Sequence, residues 1–286
     1  MSIKTEPFRI SPLLIAFGCL YTAAETVKFL RGDALWGTID LVLGAILAIA
    51  CALTWRFTRD APVEPRRKEG RALPLQLLLC GFVVIATALD GMLPAWGVVR
   101  RAIYAVAALH VSPDIANGVT NFTLYCVPLA LVLLVLGVPL AQLGIGRFRR
   151  GSAASAVVWL VLPLGVFAYA ILSGKLTVSL MLAVWLSNLL QNGVSEEFLW
   201  RGLVFGRLSS IMKTEYALFL QALLFGAWHT SADLRGYHGD VVNAVADMIA
   251  SQAMFGLAVG YLRIRTGNIA IGAAFHLLFD SLQIFQ

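Results

Sequence analysis

Charged side chains are scarce in this sequence of 286 residues. Asp, Glu, Lys and Arg make up 13% of it, whereas a soluble domain carries about 25%. Hydrophobic residues make up 59%, which argues against an ordinary soluble domain and indicates a chain in contact with lipid. Each charged residue inside an apolar run is therefore informative, because a charge at the bilayer centre costs at least about 2.5–3.5 kcal/mol.

Cysteine is also scarce, and its placement excludes two kinds of site. The four cysteines are Cys19, Cys51, Cys80 and Cys126, and all lie within or at the ends of apolar runs. They form no CxxC or Cys/His pattern, so they provide neither a disulfide framework nor a thiolate zinc site. The sequence contains no low-complexity tract and no repeat of fixed period, and its one linker of soluble character is 56–74.

Long apolar runs, by contrast, recur along the whole chain. They predict an all-α, polytopic membrane protein with about eight or nine transmembrane helices, since a span needs about 20 apolar residues. The candidate spans are roughly 12–30, 35–55, 74–95, 119–142, 154–173, 177–200, 215–231, 241–262 and 267–285. In the first span, Glu25 and Lys28 are three residues apart and are expected to pair. Residues 96–118 predict an amphipathic helix at the outer interface.

The basic residues predict the orientation of the chain. With a cytoplasmic N-terminus, 15 of the 22 fall on the cytoplasmic side and five outside, the asymmetry typical of inner-membrane proteins. The net charge of +6 thus indicates topology and contact with the lipid bilayer, and nucleic acid is not an expected partner. We divide the chain into an N-terminal hairpin and linker (1–72), a helical shell (73–174) and a C-terminal core (175–286).

The C-terminal core has charged residues inside its spans. In "EEFLWR", Glu197 and Arg201 are four residues apart and share a helix face, whereas Glu196 points about 100° away. This spacing predicts that Arg201 neutralises Glu197 and leaves Glu196 free to act as a base.

Two histidines occupy separate later spans. His229 ends "FGAWH", and His276 begins "HLLFD", where Asp280 lies four residues later on the same face. Counting from cytoplasmic basic residues at 1.5 Å per residue places Glu196 and His276 about 16 Å deep and His229 about 24 Å deep, which tilt would reduce. These depths permit a shared site.

Two mechanisms fit a carboxylate with two histidines. Glu196 could deprotonate a water held by His229, with His276 and Asp280 stabilising the oxyanion or protonating the leaving amine. Alternatively, Glu196, His229 and His276 could hold a zinc ion whose bound water attacks. The spacing leaves both open.

These three motifs resemble the signatures of the CPBP (CAAX protease and bacteriocin-processing, or Abi) family of intramembrane proteases, which includes the type II CAAX prenyl endopeptidases. The resemblance covers about 175–286. It implies Glu196 as the catalytic carboxylate, Glu197 and Arg201 as its supporting pair, and His229 and His276 as the motif histidines. Asp280 departs from the asparagine usual in the prenyl endopeptidases, and an ionised carboxylate cannot donate to an oxyanion.

The resemblance implies an intramembrane endopeptidase that acts on a membrane-associated or lipidated peptide or protein. We expect it in the cytoplasmic (inner) membrane of a bacterium. Two other classes stay open. Buried Glu, His and Asp also build proton-coupled transporters, although the paired halves typical of such proteins are missing here. A non-catalytic scaffold or immunity-type membrane protein could retain the motifs for partner binding.

Overall fold

The computed structural model describes residues 11–61, 72–89 and 94–285, and this part of the chain is built from helices. The prediction of an all-α polytopic membrane protein is confirmed. The α-helices are α1 (Pro12–Leu30), α2 (Ala34–Thr58), α3 (Leu73–Ala88), α4 (Pro94–Ala108), α5 (Pro113–Tyr125), α6 (Val127–Val135), α7 (Ser152–Leu172), α8 (Val178–Asn188), α9 (Val194–Glu197), α10 (Phe205–Ile211), α11 (Thr214–Gly236), α12 (Val241–Asp247), α13 (Met254–Thr266) and α14 (Ala270–Ser281).

Three π-helical segments and one 3₁₀ turn interrupt or extend these helices. They are π1 (Leu189–Gly193), π2 (Phe198–Val204), π3 (Met248–Ala253) and the terminal turn Leu282–Phe285. As a result, 178–211 is one interrupted helical run, in which the single turn α9 lies between π1 and π2. Segments of π-helix are rare and are found frequently at functional sites.

Five helical segments in the described residues are long and apolar enough to cross a membrane: Pro12–Leu30, Ala34–Thr58, Pro113–Val135, Ser152–Leu172 and Val241–Thr266. Two shorter apolar helices are Leu73–Ala88 and Ala270–Phe285. The predicted spans 177–200 and 215–231 correspond to the run 178–211 and to α11, which carry many of the polar residues of the C-terminal core.

Local signals explain where helices begin and end. The Ser11 hydroxyl accepts a hydrogen bond from the backbone N–H of Leu14, and Pro12 starts α1. The Asp240 carboxylate caps α12 by accepting from two backbone N–H groups. Gly267, with φ of +79°, ends α13 in the left-handed conformation that glycine adopts without strain.

The N-terminal hairpin of α1 and α2 contacts the C-terminal core through a buried ion cluster. Lys28 is fully buried and lies 2.5 Å from Asp40 on α2 and 2.6 Å from Asp247 at the end of α12. Lys28 therefore pairs with these aspartates instead of with Glu25, whose buried carboxylate oxygens have no hydrogen-bond partner among the described residues. Asp247 consequently has a structural contact away from the "EEFLWR" motif.

Close approaches between helices fix the core around that motif. A Cβ at Gly193 would lie 2.8 Å from the carbonyl of Ala273 on α14. A Cβ at Gly226 would lie 2.6 Å from the carbonyl of Met248 in π3. These glycines thus bring α14 against the run 178–211, and π3 against α11.

Candidate active site

The run 178–211 carries two adjacent buried carboxylates, Glu196 and Glu197, on α9. Glu197 has no exposed surface, and its Oε1 lies 2.9 Å from Nη1 of Arg201, which is also fully buried. The guanidinium carbon of Arg201 lies 4.2 Å from the ring centre of Phe225, a cation–π contact. The predicted pairing of Glu197 with Arg201 is therefore present.

Glu197 has a second partner that the sequence does not reveal. Its Oε1 lies 2.9 Å from Nδ1 of His276 on α14. Because an ionised carboxylate can only accept, Nδ1 is the protonated nitrogen of this imidazole. Glu197 thereby fixes the orientation of His276 and turns Nε2 toward the other acidic residues.

Glu196 faces both histidines with one oxygen. Its Oε2 lies 3.5 Å from Nε2 of His229 and 3.9 Å from Nε2 of His276. These distances exceed a direct hydrogen bond, and within the described residues this oxygen is buried without a hydrogen-bond donor. The structure therefore brings the three motifs together, as the depth estimate permits.

His229 is held by its own helix. Its Nδ1 lies 2.8 Å from the carbonyl oxygen of Phe225, one turn earlier on α11, so Nδ1 carries the donated hydrogen. The rings of Phe225 and Trp228 lie 4.5 and 4.8 Å from the imidazole. Packing and this hydrogen bond together direct Nε2 toward Glu196.

Asp280 is close to His276, as their spacing predicts. Its Oδ2 lies 3.5 Å from His276 Nε2 and accepts a hydrogen bond of 2.5 Å from Nδ2 of Asn192. Asn192 is a residue that the sequence reasoning missed. The feature of the sequence that points to Asn192 is its position within "LLQNG", four residues before Glu196 on the same helical run.

Exposure indicates from which side the site is reached. The His276 side chain is 6% exposed and that of Glu197 is fully buried, whereas His229 and Asp280 are 18% and 16% exposed. The protected side therefore holds the Glu197–Arg201–His276 contacts, and a reactant would enter between His229 and Asp280.

A metal site finds no support in this geometry. The residues that the structure describes contain no group of three or more His, Cys, Asp or Glu side chains arranged to hold a metal ion. The zinc set of Glu196, His229 and His276 therefore stays a prediction, and we derive no step through a metal.

Comparison with protein families gives one match. Residues 177–282 match the family described as "Type II CAAX prenyl endopeptidase Rce1-like". Comparisons with curated proteins and with solved structures gave no match. The matched segment includes every site residue from Asn192 to Asp280. Through this segment, the chain is similar to the family of type II CAAX prenyl endopeptidases.

Proposed function

We propose that the chain is an intramembrane endopeptidase that hydrolyses a peptide bond of a membrane-associated or lipidated peptide or protein, with Glu196 as the general base. Residues 175–286 form its catalytic core. The observation that carries this proposal is the buried Glu196 oxygen that faces two imidazole nitrogens without a donor from the described protein atoms.

The donor pattern suits a water molecule as the nucleophile. Because Nδ1 of His229 bears a hydrogen, Nε2 is an acceptor in the neutral ring, and Glu196 Oε2 is an acceptor as well. Two acceptors 3.5 Å apart can hold a bridging water that donates one hydrogen to each. Such a water has a base at one hydrogen and an orienting group at the other.

The reaction then proceeds in two balanced steps. Glu196 takes a proton from water as the water oxygen bonds to the carbonyl carbon, and the carbonyl π electrons move to oxygen and form an oxyanion. The oxyanion collapses, the C–N bond breaks, and the leaving nitrogen receives the proton from Glu196. In its doubly protonated form, His276 can donate from Nε2 to the oxyanion or to the leaving nitrogen, while Glu197 and Asp280 balance its charge.

The experiment compares cleavage by purified wild-type protein and by Glu196→Gln across a panel of prenylated, acylated and unlipidated peptides. General-base catalysis contributes about 10²–10⁴-fold, so we expect kcat to fall by that factor. Glu215→Gln, the same change at the start of α11, is the matched control and should retain wild-type activity. Equal cleavage by wild type and Glu196→Gln across the panel would refute the hydrolase and return the scaffold or transport functions to consideration.

A chelator arm tests the zinc alternative. The glutamate–histidine mechanism requires no metal, so we expect EDTA and 1,10-phenanthroline to leave kcat within about twofold at fixed pH. Loss of activity with chelator, and recovery on adding Zn²⁺, would instead establish a metal-dependent enzyme.

The cellular placement forms part of the proposal. The basic residues favour a cytoplasmic N-terminus in a bacterial inner membrane. Labelling of single cysteines introduced at Arg150 and at Lys175 by a membrane-impermeant thiol reagent, in a background lacking the native cysteines, tests it. Labelling of the second position alone in intact cells supports this orientation, and labelling of the first alone reverses it.

A further inference from the structure

The contact between Asn192 and Asp280 joins the run 178–211 to α14 beside the reacting groups. Asn192 Nδ2 donates to Asp280 Oδ2 at 2.5 Å, and the same Asp280 oxygen lies 3.5 Å from His276 Nε2. Asn192 Nδ2 also lies 3.4 Å from the side-chain oxygen of Asn188, one turn earlier. The second distance is long for an N–H···O hydrogen bond, so the second amide hydrogen is held only weakly.

Peptide-bond hydrolysis requires hydrogen-bond donors where the oxyanion forms. The acidic residues of the site, Glu196, Glu197 and Asp280, provide only acceptors when ionised. The amide nitrogen of Asn192 carries two hydrogens, and Asp280 occupies one of them. The other hydrogen makes only the long contact with Asn188. Turning it toward a substrate oxygen therefore gives up little hydrogen-bond energy.

The position of Asn192 suits that role. Water is expected between Glu196 and His229, and His276 Nε2 lies 3.9 Å from the same Glu196 oxygen and 3.5 Å from Asp280 Oδ2. The contacts through Asp280 place the Asn192 amide in the same cluster as His276 Nε2, beside the carbonyl group that this water would attack. Asn192 is half-buried, and its partner Asp280 lies at the more exposed edge of the site.

We infer that Asn192 is a further catalytic residue whose side-chain amide donates to the oxyanion, while Asp280 anchors that amide through its other hydrogen. The inference rests on the proposed function and deepens it. Asp280 thus acts as an acceptor that positions a donor, and it needs no proton of its own for this task.

The test measures kcat, KM and inhibition by a peptide phosphinate, a stable mimic of the tetrahedral oxyanion, for wild type, Asn192→Ala and Asn117→Ala. Loss of one oxyanion donor typically lowers kcat by about 10²–10³-fold, so we expect that loss for Asn192→Ala, with KM within about threefold of wild type. Phosphinate affinity should fall by a factor similar to that of kcat/KM. Asn117 contacts the neighbouring Gln191 and is the matched control, with wild-type constants expected.

A paired exchange provides a second test that does not require the alanine variant to fold. Asn192→Asp places two carboxylates together and should lose at least as much activity as Asn192→Ala. Adding Asp280→Asn restores one amide and one carboxylate with their positions exchanged. The double variant should have a kcat at least tenfold higher than that of Asn192→Asp. A purely structural contact would instead lower the unfolding temperature and leave the ratio of phosphinate to substrate affinity unchanged.

The outcomes separate this inference from the proposed function. If wild type cleaves, Glu196→Gln does not, and Asn192→Ala retains kcat within about threefold, the inference is wrong and the hydrolase stands. If Asn192→Ala loses kcat but keeps wild-type phosphinate affinity, the oxyanion role is also wrong. If wild type cleaves no peptide of the panel, the proposed function itself fails.

Discussion

Glu197 holds two side chains through a single carboxylate oxygen. Its Oε1 lies 2.9 Å from Arg201 Nη1 and 2.9 Å from His276 Nδ1, and neither carboxylate nor guanidinium is exposed. The two adjacent glutamates therefore have different roles. Glu197 fixes His276 and compensates a buried cation, whereas one oxygen of Glu196 is left for the proposed reaction.

These contacts predict that Glu197→Gln lowers both the free energy of unfolding and kcat. Removing one partner of a buried ion pair destabilises a protein by about 3–5 kcal/mol, because Arg201 would be left uncompensated. His276 also loses the carboxylate that holds its Nδ1 at 2.9 Å, so we expect kcat to fall by about 10²-fold or more. Unfolding in mixed detergent micelles and peptide cleavage measure the two effects.

The matched control is Asp60→Asn, because that carboxylate is 65% exposed and lies 3.9 Å from Arg59. We expect it to change neither stability nor kcat, since exposed pairs contribute about 0–1 kcal/mol. A Glu197→Gln variant as stable and active as Asp60→Asn would show that Glu197 has neither role.

For contacts between individual side chains, the sequence predicts those within one helix and does not predict those between helices. The i,i+4 spacing predicts the Glu197–Arg201 contact and the proximity of His276 to Asp280. Nothing in the spacing relates Glu197 to His276, which is 79 residues away. Asn192 is missed for a different reason, since an uncharged amide in an apolar run attracts less notice than a buried charge.

Among the helices, the run 178–211 and α14 position the site through their close approach at Gly193. A Cβ there would meet the Ala273 carbonyl at 2.8 Å and the Leu277 side chain at 3.1 Å, on both sides of His276 in sequence. Gly193 closes π1, one turn before Glu196. The distance between Glu196 and His276 therefore depends on the absence of a side chain at this position.

Gly193→Ala should push α14 away from the acidic pair. Overpacking costs about 1–3 kcal/mol, and a shift of about 1 Å in catalytic geometry can cost about 10²-fold in rate. Thermal unfolding and kcat for the detergent-purified variant check both values. Gly165→Ala on α7 is the control, because no described atom lies within 4 Å of its Cβ position. It should keep kcat and gain about 0.5–1 kcal/mol, and a Gly193→Ala enzyme that behaved likewise would contradict this account.

Helices were easier to predict than their interruptions. Apolar runs place α1, α2 and α7 within a few residues of their observed bounds. The predicted span 119–142 instead belongs to a segment that starts at Pro113 and is divided into α5 and α6 at Cys126, with a proline two residues later. Hydropathy cannot distinguish π from α turns, because both present the same residues to their surroundings, so π1, π2 and π3 were not predicted.

Across the whole molecule, a series of contacts connects the hairpin of α1 and α2 to the candidate active site. The hairpin itself lies outside the segment that matches the family. Lys28 reaches Asp247, the last residue of α12, and π3 begins at the next residue. The Met248 carbonyl in π3 occupies the space against Gly226, three residues before His229. A chain of direct contacts therefore runs from the N-terminal hairpin to a site histidine.

Lys28→Met tests whether this link stabilises the fold. The substitution leaves Asp40 and Asp247 without their shared cation, and breaking a buried pair in this way costs about 3–5 kcal/mol. Neutralising all three positions with Lys28→Met, Asp40→Asn and Asp247→Asn should recover most of that loss, because neither aspartate is then a buried charge without its cation. Lys213→Met, at an exposed lysine before α11, is the matched control and should unfold like wild type. Unfolding of all four proteins in one detergent provides the comparison. If Lys28→Met and Lys213→Met unfold alike, the ion cluster does not hold the hairpin, and its position must depend on the packing of Phe17 and Tyr21 against the core instead.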